Sequence, residues 1–241
     1  MRLARRIQLM TTANLNNIDR NKISAVIFDM DGVVVDSEPV HERALMVTAE
    51  HLGRSMSITE AKSFKGSTEK LAAELMRDFT GTSVGIEEII HKRLSTVHEL
   101  FGQVTLMDGV IEFIATCRKH GWTLALATSA QRDMQELVFA TFGLAPYFAA
   151  VVTGSDVARS KPDPEPYLKA AAKLGLEPSA CLVIEDAKLG VVSGKAAGCQ
   201  VIGITTSFPK EQLLEAGADL VAATFPEIAE HLISRNGDPT L

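Results

Sequence analysis

Short apolar runs alternate with amphipathic segments along most of the 241-residue chain. The runs have the length and the content of branched residues that are typical of buried parallel strands, and they cover 23–28, 122–127, 149–153, 181–184, 201–204 and 219–222. Apolar residues recur at helical spacing between them, over 109–120, 131–142, 164–174, 187–197 and 210–216. This alternation predicts βαβ units in an α/β fold, a doubly wound, Rossmann-like parallel sheet with helices on both faces.

The alternation stops between residues 38 and 107. No strand-like run occurs there, and helical spacing recurs instead, for example at Leu71, Ala72, Leu75 and Met76. A connection of about 70 residues far exceeds what a crossover between parallel strands needs. We therefore predict a small α-helical cap domain, residues 38–107, inserted after the first strand of a core made of 23–37 and 108–234. We expect this insert over the carboxyl edge of the sheet, where open α/β sheets bind ligands.

The first 22 residues are basic, with Asp19 as their single acid. An organelle transit peptide and a flexible extension, the latter with initiation at Met10, both fit this composition. The apolar stretch is too short and broken for a secretory signal. We expect residues 1–22 to form a flexible extension and 235–241 a C-terminal tail.

Composition narrows the class of protein. The chain is 46% hydrophobic and 22% charged with a net charge of −6, which is ordinary for a globular domain and lacks the basic surface that nucleic acid requires. No apolar run is long enough to span a membrane. The three cysteines show no C-x-x-C spacing, and Cys181 and Cys199 begin apolar runs, so we expect buried thiols in a reducing compartment. We predict a cytoplasmic monomer with no nucleic-acid or membrane partner.

Two of the predicted strands end in paired acids. The first is followed by Asp29-Met30-Asp31-Gly32 and the fourth by Glu185-Asp186. Asp29 can act as a nucleophile that forms an acyl-phosphate, while Asp31 protonates the leaving oxygen and later deprotonates water. Local turns or helix caps would also use such acids. Four carboxylates that meet at one sheet edge need a cation, and Mg²⁺ prefers these oxygen ligands.

Hydroxyl and ammonium groups follow two other strands. Thr128 and Ser129 lie between a strand and a helix, where hydroxyl and backbone N–H groups bind phosphate oxygens, although simple capping would use the same residues. Lys161 lies in a proline-stiffened loop just before a helix. A lysine there can offset charge on a carboxylate and on a transferring phosphoryl group.

In this order, Asp29-Met30-Asp31-Gly32, Thr128, Lys161-Pro162 and Glu185-Asp186 with Gly190 resemble the four motifs of the haloacid dehalogenase-like hydrolase superfamily. The resemblance covers about residues 23–230, and four motifs at four successive strand ends are a specific combination. The helical insert resembles the small cap domain of that family. Its Asp36-Ser37-Glu38 and His41 resemble the β-phosphoglucomutase and sugar-phosphatase branch.

The resemblance implies a role for each matching position. Asp29 would be the nucleophile and a Mg²⁺ ligand, and Asp31 the general acid and base, with its backbone carbonyl on the metal. Thr128 and Lys161 would hold the transferring phosphoryl group, and Asp186 and Glu185 would complete the metal site. His41 would couple cap closure to Asp31. The predicted substrate-binding residues are Gly32, His41, Lys65, Gly66, Lys70 and Ser129.

Departures from the resemblance narrow the activity. Dehalogenases and phosphonatases of the superfamily lack an acid two residues after the nucleophile, so Asp31 disfavours both. The mutases grip a second phosphate with an arginine that would fall near Glu69, and they carry lysine and asparagine where this chain has Gln131 and Arg132. We therefore predict a Mg²⁺-dependent phosphatase that hydrolyses a small phosphorylated metabolite, such as a sugar phosphate. A β-phosphoglucomutase-like mutase and a non-catalytic phosphate-binding module are the alternatives.

Overall fold

The structure, a computed structural model, describes residues 18–233. The predicted C-terminal tail and residues 1–17 of the predicted extension lie outside the described residues. The chain divides into two compact units. We call 35–106 the helical unit, and the described residues 18–34 and 107–233 the core unit.

The strands in chain order are β1 (Ala25–Phe28), β2 (Val35–Asp36), β3 (Thr105–Leu106), β4 (Thr123–Ala127), β5 (Ala150–Val152), β6 (Cys181–Glu185), β7 (Gln200–Ile204) and β8 (Leu220–Ala222). The α-helices are α1 (Glu38–His51), α2 (Ile58–Lys62), α3 (Glu69–Thr80), α4 (Ile86–Leu100), α5 (Val110–Lys119), α6 (Arg132–Phe142), α7 (Glu165–Leu174), α8 (Lys188–Ala197), α9 (Lys210–Glu215) and α10 (Phe225–Ile233).

The core unit contains a six-stranded parallel sheet in the order β5-β4-β1-β6-β7-β8. The chain moves outward from β1 to one side through β4 and β5, and then to the other side through β6, β7 and β8. The connections therefore reverse direction at β1, which is the point where open α/β sheets bind ligands. The predicted α/β, doubly wound fold is confirmed.

Both faces of the sheet are buried, which is why its strands are continuous apolar runs. Ala25 and Ile27 of β1 join an apolar cluster with Tyr167 on one face. Phe28 meets the ring of Phe113 at 5.9 Å, and Phe113 meets that of Phe225 at 5.2 Å. Successive residues of a strand point to opposite faces, so β1 contributes to two separate apolar layers.

The helical unit has its own apolar core. Leu45 of α1, Met76 of α3 and Ile89 of α4 pack together within it with Met56 and Phe64, which lie on either side of α2. The unit contains four α-helices, and it spans 35–106 where 38–107 was predicted. The antiparallel pair of β2 with β3 was missed, because each strand is only two residues long and its partner lies about 70 residues away.

Two further predictions need correction at the ends of the core unit. Residues 18–22 were assigned to the flexible extension, but Arg20–Lys22 form a short 3-10 helix. Asp19 there accepts from the side chain of Gln200 at 3.1 Å through its backbone carbonyl, so the core unit begins before residue 23. Helix α10 was not predicted, although Phe225, Ile228 and Leu232 follow a helical period and are buried.

The three cysteines are free and buried, as predicted for two of them. Within residues 18–233 the structure has no helix with both the length and the apolar character that a membrane crossing requires.

Candidate active site

The register of the central strands determines where the first acid lies. Phe28 of β1 pairs with Leu126 of β4 on one side and with Ile184 of β6 on the other. Asp29 follows directly, and its backbone N–H donates to the carbonyl of Ile184 at 3.1 Å. Because the strands are parallel, the acids that end β1 and β6 meet at the same edge of the sheet.

Three carboxylates converge at this edge. Oxygens of Asp29, Glu185 and Asp186 lie within 4.8 Å of one another, and the three residues are only 7%, 1% and 3% exposed. Buried carboxylates at this spacing repel one another unless positive charge lies among them. The structure thus brings together three of the four acids that the sequence singled out, in a geometry that can hold a metal ion.

Lys161 lies against two of these acids. Its Nζ donates to Asp29 Oδ1 at 2.5 Å, to Glu185 Oε1 at 2.7 Å and to the backbone carbonyl of Ala127 at 3.0 Å. Burial by itself would lower the pKa of Lys161, but the carboxylates of Asp29 and Glu185 outweigh it and raise that pKa well above its usual range. Lys161 is therefore charged, and it orients the carboxylate of Asp29.

One ammonium does not balance the cluster. Burial is the main reason that the pKa of Asp29 rises to about 7, with Lys161 opposing the rise and Glu185 and Asp31 adding to it. Burial, with Glu185 and Asp29, likewise raises the pKa of Asp186 well above its usual range. When all three carboxylates are ionised, the single ammonium leaves two negative charges, which a divalent cation would neutralise. All the side-chain atoms that could ligate a metal ion here are carboxylate oxygens, which are ligands that Mg²⁺ prefers.

Asp31 and Gly32 occupy the turn after β1. Asp31 is half-buried, and its charge contributes to the raised pKa of Asp29. Gly32 has a φ of 74°, and a Cβ there would lie 1.9 Å from Asp186 Oδ2. Only glycine allows this turn to approach the carboxylate so closely. Gly32 therefore shapes the acidic cluster through its backbone.

Two residues after β7 also reach the cluster and were missed in the sequence. Thr206 Oγ1 lies 2.6 Å from the carbonyl of Gly32 and 3.3 Å from Asp186 Oδ2. The side chain of Ser207 hydrogen-bonds Asp186 and opposes the rise in the pKa of that acid. A signal was present, because Thr205-Thr206-Ser207 follows the carboxyl end of a strand as the other site residues do.

Tyr167 of α7 is the third missed contact. It is completely buried, its hydroxyl donates to Glu185 Oε1 at 2.9 Å, and its ring lies 4.9 Å from Lys161 Nζ. The backbone N–H of Ala187 donates to the other oxygen, Glu185 Oε2, at 2.9 Å. Glu185 is thus held from three directions. The carboxylate of Glu185 also lies directly against Gly190, where a Cβ would lie 1.6 Å from Glu185 Oε1.

The predicted phosphoryl-binding residues follow β4. Thr128 is 2% exposed, its N–H donates to Val152 at 3.0 Å, and its Oγ1 accepts from the N–H of Ala130 at 3.0 Å. Ser129 is exposed at the start of the connection to α6. The two residues therefore lie at the carboxyl edge of β4, and β4 is the neighbour of β1 in the sheet.

The remaining predicted residues belong to the helical unit. His41 Nδ1 lies 3.4 Å from Arg93 Nη1, and Lys65 Nζ lies 3.8 Å from Glu38. Gly66 has a φ of 79°, and Lys70 is exposed in the first turn of α3. Their assignment to substrate binding stays a prediction.

Arg93 of α4 was not anticipated in the sequence. Its guanidinium pairs with Glu69, its side chain is only 9% exposed, and its Nε has no hydrogen-bond partner among the described residues. No local pattern marks a basic residue on an amphipathic helix as buried, so this contact had no signal in the sequence.

Comparison with known proteins agrees with the geometry. Residues 26–204 match the model of the haloacid dehalogenase-like hydrolase family. Hexitol phosphatase B of Escherichia coli K12 is 34% identical over 73% of this chain and 81% of its own length. Glycerol-1-phosphate phosphohydrolase 2 of Saccharomyces cerevisiae is 31% identical over 86% of this chain and 84% of its own.

A solved structure extends the likeness to the fold. The β-phosphoglucomutase candidate from Thermotoga maritima superimposes with a TM-score of 0.76 at 29% identity, covering 89% of this chain and all of the other. The family match spans more than half of the 241 residues, and it includes every acid and the lysine of the cluster. The chain belongs to the haloacid dehalogenase-like hydrolase family.

Proposed function

We propose that the protein is a Mg²⁺-dependent phosphatase that hydrolyses a small phosphorylated sugar or polyol through an aspartyl-phosphate at Asp29. The observation that supports this best is the contact of Lys161 Nζ with Asp29 Oδ1, beside two further buried carboxylates. A nucleophilic carboxylate needs one oxygen oriented and its charge partly offset, and Lys161 does both. The relatives named for the hydrolysis of hexitol and glycerol phosphates support the substrate class.

In the first step, an oxygen of Asp29 attacks phosphorus and the bond from phosphorus to the ester oxygen breaks. Asp31 donates a proton to the departing alkoxide, which leaves as an alcohol. Lys161 and the hydroxyl of Thr128 bind the phosphoryl oxygens while charge builds on them.

In the second step, Asp31 now takes a proton from water, and that water attacks the phosphorus of the acyl-phosphate. The bond from phosphorus to Asp29 breaks, and inorganic phosphate is released. Asp29, Glu185 and Asp186, with the carbonyl of Asp31, would hold Mg²⁺, which supplies positive charge to the phosphoryl oxygens when bound.

The test is release of inorganic phosphate from a panel of phosphorylated sugars and polyols, with Mg²⁺ and with EDTA. D29N is the matched variant, since an amide is nearly isosteric but a poor nucleophile, and it should lose roughly 10⁴-fold or more of the activity. Release by the wild type that survives EDTA, or a D29N variant that keeps a tenth of the activity, would contradict the proposal.

A phosphosugar mutase is the second candidate, and one observation favours it. Arg93 brings a buried guanidinium to Glu69, the position near which the mutases of this family carry a phosphate-binding arginine. Glu69 pairs with that guanidinium, so a second phosphate would have to displace a carboxylate, and we rank hydrolysis first for that reason. With β-glucose 1-phosphate and a trace of the bisphosphate, glucose 6-phosphate as the main product would establish the mutase instead. A non-catalytic phosphate-binding module would bind phosphate and release none from any ester.

A further inference from the structure

An ion pair joins the two loops of the core unit that contain Thr128 and Lys161. Arg132 Nη2 lies 2.5 Å from Asp156 Oδ2. Arg132 begins α6, directly after the loop 128–131 that carries Thr128, and Asp156 lies in the loop that follows β5. The second loop continues to Lys161. The pair therefore connects the two loops that carry the phosphoryl-binding groups of the proposed site.

Backbone and side-chain hydrogen bonds connect the same two loops. Gly154 N donates to the carbonyl of Ala130 at 2.8 Å, and Arg132 N donates to Ser155 Oγ at 3.2 Å. Ser155 Oγ in turn donates to Gln131 Oε1 at 2.8 Å. A Cβ on Gly154 would lie 2.5 Å from the carbonyl of Ser129, so the loops approach more closely than any other residue would allow. The loop 128–131 is therefore in direct contact with the loop that follows β5.

Asp156 is the centre of this contact. Its Oδ2 also accepts from the N–H of Thr153 at 2.7 Å and from the hydroxyl of Thr153 at 2.9 Å, and its backbone carbonyl accepts from Lys169 Nζ at 2.6 Å. Partial burial would raise the pKa of Asp156, but these hydrogen bonds and Arg132 outweigh it and lower the pKa to about 2. Asp156 is therefore ionised at neutral pH, and it can hold Arg132 as an ion pair.

The segment from Asp156 to Lys161 is also anchored near its middle. The N–H groups of Ala158 and Arg159 donate to the carboxylate of Glu165 at 3.0 and 2.9 Å. Lys161 follows two residues later. The chain from Asp156 to Lys161 is thus held at Asp156, at Ala158 and Arg159, and at the ammonium of Lys161. Loss of the contact at Asp156 removes one of the anchors that place Lys161.

We propose that the Arg132–Asp156 ion pair is a positioning element that sets the distance between Thr128 and Lys161. This inference rests on the proposed function, because those two residues hold the transferring phosphoryl group there. It also gives Arg132 and Gln131 a role other than substrate contact, since both side chains are engaged by the loop 153–156. Misplacement by about 1 Å of groups that bind a transition state is enough to lower a rate by on the order of 10²-fold.

The experiment compares R132A, R132K, D156N and the double variant R132A/D156N with the wild type. The matched control is K195A, because Lys195 pairs with Asp219 at 2.7 Å across the same sequence separation and away from the acidic cluster. Hydrolysis of a generic aryl phosphate gives kcat and KM, calorimetry gives the Kd of inorganic phosphate, and thermal unfolding reports the fold.

We expect R132A to lose roughly 10- to 100-fold in kcat/KM, mostly in kcat, and D156N to lose a similar factor. The double variant should lose no more than either single variant, since both remove one interaction. R132K, which keeps the charge, should recover most of the activity, and K195A should resemble the wild type. Additive losses, or an unaffected D156N beside an impaired R132A, would overturn the inference in favour of direct substrate contact by Arg132.

A failure of the proposed function would look different. In that case the wild type itself would release no phosphate from any ester, and the Kd of inorganic phosphate would become the deciding measurement. Weaker phosphate binding in R132A and D156N than in K195A would then still support the positioning role. Equal affinity in all variants, or no phosphate binding by the wild type, would overturn it.

Discussion

Replacement of Gly190 by alanine tests the geometry of the acidic cluster with a single methyl group. Gly190 lies in the first turn of α8, where alanine is favoured over glycine by about 1 kcal/mol in the helix itself. The new Cβ would lie 1.6 Å from Glu185 Oε1 and 1.9 Å from its Cδ. Heavy atoms do not approach closer than about 3 Å without a bond, so the carboxylate of Glu185 must move by more than 1 Å.

The displaced carboxylate loses the contacts that hold it. Lys161 and the buried hydroxyl of Tyr167 both donate to Oε1, and a buried donor left without a partner costs about 1–3 kcal/mol. After the gain in helix propensity is subtracted, we expect G190A to be destabilised by at most about 2 kcal/mol. Because the same movement would shift Lys161 and an oxygen of the proposed metal site, activity should fall on the order of 10²-fold or more.

The assay is phosphate release under saturating Mg²⁺, with thermal unfolding to show that the variant is folded. G194A is the matched control, since it adds the same methyl to the same helix but meets a methyl of Val201 at 2.9 Å. That contact is apolar, so G194A should lose some stability through overpacking and keep its activity. A folded G190A variant with more than half of the wild-type kcat/KM would refute the reasoning, because Glu185 would then be mobile without consequence.

Three other predictions concern Asp31, Asp186 and the ion pair of Asp156 with Arg132. D31N should slow formation of the phospho-enzyme from a sugar phosphate by about 10²–10⁴-fold but much less from p-nitrophenyl phosphate, whose leaving group needs no proton; equal losses in single-turnover measurements would show that Asp31 acts otherwise. D186A should raise the Mg²⁺ concentration needed for half-maximal activity or abolish turnover, and Ca²⁺ should inhibit the wild type; full activity of D186A in EDTA would contradict this. Because hydrogen bonds and Arg132 lower the pKa of Asp156 to about 2, its contribution to stability is complete above about pH 4 and is lost as the pH falls towards 2. The pair is partly exposed, so the difference between wild type and D156N in urea unfolding at pH 5 should be at most about 1 kcal/mol and should shrink at pH 3; a difference that grows on acidification would reverse the sign of the argument.

Some of the residues in these predictions could be identified from the sequence, and others could not. The strand positions were readable because a strand buried on both faces is a continuous apolar run, as in Ala25–Phe28 and Cys181–Glu185. The convergence of Asp29 with Glu185 followed from topology alone, since parallel strands present their carboxyl ends at one edge. These inferences use local patterns and one general rule, so no coordinates were needed.

A strand or helix must be several residues long before it produces a recognisable pattern in the sequence. The two-residue strands β2 and β3 carry no period, and their pairing joins residues far apart in the chain. Helix α10 did carry a period, but Pro226 near its start resembles a helix breaker, whereas proline is in fact tolerated in the first turn. The pairing of β2 with β3 could not be predicted from the sequence, whereas helix α10 could have been predicted but was missed.

The sequence by itself determined the α/β fold, the inserted helical segment and the edge at which the acids, Thr128 and Lys161 emerge. Only the tertiary structure decided how these groups are held. Tyr167 donates a hydrogen bond to Glu185, Gly190 leaves room for the carboxylate of Glu185, and Arg132 pairs with Asp156. Such contacts join side chains whose separation along the chain has no fixed relation to their distance in space. Their geometry depends on strand order, register and loop packing, which arise only when the whole sheet has formed.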